Sequence, residues 1–177
     1  MSTRSIIARK TKEGFMGTYH HWDGYPTALG FTLYHMYKKG ANLNGMLSLL
    51  IDDHPAGWSS INGVDWTQPI GYVADYEKGR ELNAPQCFCH GDRREEVDEP
   101  YTQDTECGAE FAYVFEKDTE LEEDIMHVYE KQYEDGEHTT EFFGLTTGRG
   151  GWKLIKSINL MGEEPDWEHL GSWGNRE

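Results

Sequence analysis

The order in which hydrophobic periodicities follow one another constrains this chain more than any other feature. Apolar side chains alternate with period two near both ends of the sequence, recur at helical spacing in a block between them, and lose their period in a long stretch after that block. Alternation places one set of side chains on one face of a strand, while spacing of three to four places it on one face of a helix. Strands and helices that are segregated rather than strictly alternating predict an α+β fold. The expected sheet is antiparallel, built from an N-terminal hairpin and C-terminal strands, with two helices packed on it and a loop-rich middle segment.

The pattern predicts strands over 5–10 and 15–22, joined by a turn around Lys12, Glu13 and Gly14. A helix follows, with Thr27 as its N-cap, Leu29, Leu33, Met36 and Tyr37 as its stripe, and Gly40 at its end. A second helix is predicted over 43–53, capped by Asn42. From His54 to Arg94 turn residues dominate, and a loop-rich stretch of this length inside one domain points to a functional segment pinned by Trp58, Trp66 and Tyr72. Strands resume over 110–116 and 125–130, joined by an acidic turn, and a last strand is expected over 152–160 after a glycine-rich turn. The polar tail 163–177 keeps Trp167, Leu170 and Trp173 and is expected to dock in part.

At 177 residues the chain suits one domain, 1–177. Only 37% of residues are hydrophobic, but six Trp, ten Tyr and seven Phe supply enough buried area for a core. The first residues hold no long apolar run and no stretch is long enough to span a bilayer, so the expected location is the cytoplasm. Three cysteines make an odd number, which favours free thiols or metal ligands over a disulfide framework.

Charge is concentrated. The chain carries −16, and residues 95–141 hold eighteen acidic side chains against Lys117 and Lys131, which is the whole of it. Such a segment disfavours direct contact with nucleic acid or anionic membrane and favours a basic partner, including a protein surface that ordinarily holds nucleic acid.

Two strings carry potential chemistry. Tyr19-His20-His21-Trp22-Asp23-Gly24-Tyr25-Pro26 brings two imidazoles, a carboxylate and three aromatic rings to a strand-to-helix junction. His21 and Asp23 are candidates for acid–base or metal chemistry, His20 for a metal ligand, and Tyr19, Trp22 and Tyr25 for ligand contacts. Asp-Gly before Tyr-Pro is equally the chemistry of a structural corner. The second string is Cys87-Phe88-Cys89-His90-Gly91-Asp92-Arg93-Arg94. Cys87, Cys89 and His90 are candidate zinc ligands, completed by an N-terminal histidine, although C-x-C is tighter than the usual structural zinc spacing. His90 and Asp92 are also candidate catalytic partners of His21 and Asp23, and Arg93 and Arg94 candidate phosphate contacts.

Thr3-Arg4-Ser5, a short hairpin, and then Tyr19, His21, Trp22, Asp23, Gly24, Tyr25 and Pro26 resemble a family of small proteins encoded by bacteriophages and prophages. The likeness covers residues 3–37, with a looser echo from the Gly91-Asp92-Arg93 region to 110–115. Taken together with the compact size and the concentrated acidic charge, it points to a phage accessory protein acting by protein–protein contact inside a bacterial host, for example by inhibiting a defence or nucleic-acid-binding factor through the acidic surface; no cofactor is expected, zinc apart. Two further functions fit the motifs. One is a small metal-dependent hydrolase or nuclease using His-His-Trp-Asp and Cys-Phe-Cys-His-Gly-Asp, the other a nucleotide or small-molecule binder.

Overall fold

The computed structural model describes residues 2–40, 42–70, 81–90, 94–132, 141–142, 145–146 and 151–170. In chain order the strands are β1 (Arg4–Lys10), β2 (Phe15–His20), β3 (Trp58–Ser60), β4 (Gln86–Cys87), β5 (Tyr101–Thr102), β6 (Ala109–Asp118), β7 (Glu123–Lys131), β8 (Glu141–Phe142), β9 (Leu145–Thr146) and β10 (Trp152–Asn159). The helices are α1 (Phe31–Gly40) and α2 (Leu43–Leu47). The main sheet runs β10-β7-β6-β1-β2-β3-β4, with β5 paired to β2, and β8 and β9 form a separate ribbon.

The α+β class is as the periodicities predict. The sheet, however, is mixed. Hairpin neighbours pair antiparallel, as short connections require, but β1 lies parallel to β6 and β2 parallel to β3. The two hairpins meet through long connections, which leave their relative direction free.

Strand alternation splits the core in two. Ile7, Tyr113 and Val128 face the helices and pack with Leu29, Leu33, Leu50 and Trp58. Ile6, Ala8, Ala112 and Val114 face the other way and pack with Phe15, Tyr129 and Trp152. Full burial of each Leu, Ile, Val or Phe among them contributes about 1.5–3 kcal/mol, and Trp58 also donates its indole N–H to the Leu50 carbonyl at 2.9 Å.

Both helices differ at one end from the expectation. Asn42 caps α2 as predicted, accepting the Gly45 N–H at 3.1 Å, but the α-helix stops at Leu47 and continues as a π-helical turn, Ser48–Asp52. A similar turn, Pro26–Gly30, precedes α1, so Thr27 lies inside it and Tyr25 holds the cap position. In the tail, Trp167 and Leu170 are buried, while Trp173, like Tyr72 and 147–150, lies outside the described residues.

Among the described residues of the acidic segment, two groups stand at opposite ends of the Glu123–Lys131 strand. Asp118, Glu120, Glu122 and Glu123 cluster at the β6–β7 turn, where Asp118 accepts the N–H groups of Glu120 and Leu121. Asp104 and Glu106 lie instead beside Lys131, at the far end of β7. Nine residues of strand separate these lobes by about 26 Å.

Candidate metal centre

The sheet ends at β3 and β4, and there two turns from the irregular middle of the chain meet. His54-Pro55-Ala56-Gly57 turns sharply into β3, closed by the Gly57 N–H to the His54 carbonyl at 3.0 Å. Thr18, on β2, donates its hydroxyl to the carbonyls of His54 and Pro55, both at 3.1 Å. Gly57 has φ +97°, and a Cβ there would run into the Tyr19 carbonyl, so only glycine fits. The returning strand is fixed by the Trp58–Cys87 pairing and by the Phe88 N–H, which donates to the Gly57 carbonyl at 2.9 Å.

This frame brings together side chains from two separate turns. Ligand atoms of His54, Cys87 and His90 all lie within 4.8 Å of one another. The Cys87 sulfur is 3.2 Å from His90 Nδ1, and the His54 and His90 ring centres are 5.0 Å apart. His54 is buried against Trp58, with ring centres 4.4 Å apart, and its Nδ1 is buried with no hydrogen-bond partner. Burial, and then the neighbouring His90, lower the His54 pKa, so the ring is neutral near pH 7. Cys89 adjoins the group. Its sulfur accepts the Ala56 N–H at 3.1 Å, while burial holds its thiol pKa above the usual value, the neighbouring Cys87 adding to the rise.

These residues could hold a metal ion. One sulfur and two imidazoles are the donor set that zinc prefers. A tetrahedral zinc with ordinary bond lengths needs ligand atoms about 3.4–3.8 Å apart. The Cys87–His90 distance already approaches this, and the remaining ligand atoms need shift by no more than about 1 Å, a side-chain adjustment. A backbone N–H donating to sulfur, as at Cys89, is the kind of contact that steadies a ligating thiolate.

The expected histidine is a different one. His20 is not in the cluster. His20, Trp58 and Cys87 are register partners on β2, β3 and β4, which puts Trp58 between the other two and separates them by about 10 Å. His20 is fully buried, and its Nε2 accepts the Ile61 N–H at 3.0 Å. Burial, and then His21, push its pKa down to about 3. His54 was missed because His-Pro-Ala-Gly reads as turn chemistry; its one signal was an imidazole opening a loop that returns to a C-x-C-H string.

The aromatic junction is a corner. Gly24 donates to the Thr3 carbonyl at 2.8 Å, and the Gly24 carbonyl accepts the buried Tyr113 hydroxyl at 2.6 Å. Asn62 donates to the carbonyls of Trp22 and Asp23, and Asp23 adopts φ +52°. His21 Nδ1 lies 2.6 Å from the Tyr19 hydroxyl, on the sheet face away from His20, whereas His90 sits with Cys87. The structure thus places His21 and His90 on opposite sides of the sheet end. Tyr19 stacks with Phe88 and with Tyr101, and His21 joins it to the 46% exposed Trp22, their ring centres 4.7 Å apart, while Tyr25 packs against the core. Arg94 has φ +45°, while Asp92 and Arg93 lie outside the described residues.

No known protein family, curated protein or solved structure matches the chain. Among the described residues, no helix is long and apolar enough to cross a membrane.

Proposed function

We propose that this chain is a zinc protein in which His54, Cys87 and His90, with Cys89 as the fourth ligand, hold one Zn²⁺ in a closed structural site. The observation that carries the reading is the convergence of a thiol and two imidazoles from turns more than thirty residues apart, around a buried histidine nitrogen with no partner. A structural zinc contributes its binding free energy to folding, and here it would fasten residues 81–90 to the exposed end of the sheet. Burial of Cys87, 7% exposed, suits a ligand better than a nucleophile that a substrate must reach.

A zinc-fastened loop beside a rigid sheet fits an accessory protein that works by contact with another protein, the role that the phage-type resemblance, the compact size and the acidic charge together favour. The basic partner would engage the acidic residues at the two ends of β7. Metal-dependent hydrolysis is the weaker reading, because His21 and His90 point to opposite sides of the sheet end.

Native mass spectrometry and elemental analysis of chain purified without chelator test the zinc. One Zn²⁺ per chain is expected, absent from Cys87→Ser and His54→Ala and retained by His20→Gln. Zinc retained equally by all three variants would defeat the assignment.

A further inference from the structure

On the sheet face opposite the helices, four polar side chains from four strands form a continuous chain of contacts. Lys10 on β1 reaches Glu116 on β6 at 3.1 Å. The other oxygen of Glu116 lies 2.7 Å from Nε2 of His127 on β7, and Nδ1 of the same ring lies 2.7 Å from the Ser157 hydroxyl on β10. Ser157 is exposed, and His127 is 9% exposed.

The alignment of Ser157 depends on an irregularity. Trp152 and Leu154 pair with Lys131 and Tyr129, and strict alternation would turn residue 157 to the other face. The register shifts between Leu154 and Lys156, so Ser157 pairs with His127 instead. A β-bulge re-aims the side chains beyond it, and bulges are common beside active sites. Here the bulge places a hydroxyl on the ring that Glu116, diagonal to His127 across β6 and β7, already holds.

Each ring nitrogen therefore has a defined task. An ionised Glu116 accepts the Nε2 proton, which leaves the Nδ1 lone pair for the Ser157 O–H. Burial raises the Glu116 carboxyl, but the hydrogen bonds from His127 and Lys10 outweigh it and hold the group below the usual range, ionised at neutral pH. This is the logic of a nucleophile, a base and a group that orients the base, with the two ring nitrogens exchanged relative to the familiar serine hydrolase arrangement.

We propose that Ser157, His127 and Glu116 form a second site on this protein, a serine nucleophile with its base and a positioning carboxylate, acting on small uncharged acyl esters. Leu154, 47% exposed on the same face, offers apolar ground for an acyl group. In the first step Ser157 Oγ bonds to the ester carbonyl carbon and its proton passes to His127 Nδ1. The alcohol then leaves as the C–O bond breaks, taking that proton. Water attacks the acyl-serine, gives a proton to His127, and releases the carboxylic acid, with the proton returning to Ser157.

A fluorophosphonate ester probes the first step on the full chain as purified: the Oγ–P bond forms, P–F breaks, fluoride leaves, and the serine proton goes to His127. One adduct is expected, mapped to Ser157 by peptide mass and absent from Ser157→Ala, whose melting temperature is unchanged. Labelling should slow at least about 100-fold in His127→Gln. Glu116→Gln should slow it and shift the midpoint of its pH profile downward, because the imidazolium loses its carboxylate. No adduct on Ser157 would overturn the proposal. So would labelling at the wild-type rate in His127→Gln, or, if that variant does not fold, a pH profile that Glu116→Gln leaves in place.

Discussion

Acid sensitivity centred on His20 follows directly from its environment. The ring is fully buried on the helix-facing side of β2, with Nε2 bound to the Ile61 N–H, and its pKa falls to about 3. In the unfolded chain a histidine titrates near 6.5, so as pH falls below 6.5 the unfolded state takes up a proton that the folded state refuses. The stability lost is about 1.4 kcal/mol per pH unit, continuing down to pH 3. At pH 5 the loss from this residue alone is about 2 kcal/mol, roughly a 30-fold change in the folding equilibrium. His20→Gln keeps an acceptor for the Ile61 N–H but cannot be protonated. Urea unfolding of both proteins at pH 7.5 and pH 5 isolates the effect, since other groups act alike in both. The wild type should lose about 2 kcal/mol more than the variant between the two pH values. Equal losses would refute the assignment of a buried, neutral His20.

Other substitutions probe the frame. Gly57→Ala forces a side chain into φ +97° against the Tyr19 carbonyl; thermal melts should show a loss of about 1–3 kcal/mol, and zinc affinity should fall with it because the turn carries His54. Tyr113→Phe leaves the Gly24 carbonyl without its buried donor and should cost about 1–3 kcal/mol in denaturant unfolding. Asn42→Ala removes the cap on Gly45 and should cost about 1 kcal/mol by the same assay.

Strands β1, β2, β6, β7 and β10 could be read from alternation because each puts one residue set into a core, as Ile6 and Ile7 do on opposite faces. The pairing of β1 with β6 could not, since direction across a long connection leaves no local mark. The π-helical turns were equally hidden: Thr27 has the chemistry of a cap, and the register that puts it inside a turn is set by the fit of Pro26, Leu29 and Gly30 to the core. At the candidate metal centre, Cys87 and His90 were legible because they are neighbours in sequence. His54 was not, because β3 and β4 are too short to announce themselves and only their pairing brings the two turns together. Ser157 was beyond reach for a sharper reason: one bulge reverses the face on which it stands.

Cobalt substitution addresses the proposed zinc centre most directly, because thiolate ligation and tetrahedral geometry each have their own absorption. Titrating the metal-free chain with Co²⁺ should give intense visible bands and a sulfur-to-metal charge-transfer band in the near ultraviolet, saturating at one ion per chain and displaced by Zn²⁺. Cys87→Ser and His54→Ala should each abolish tight binding, and with it the charge-transfer band. A spectrum of hydrated, six-coordinate Co²⁺ throughout the titration would contradict the account.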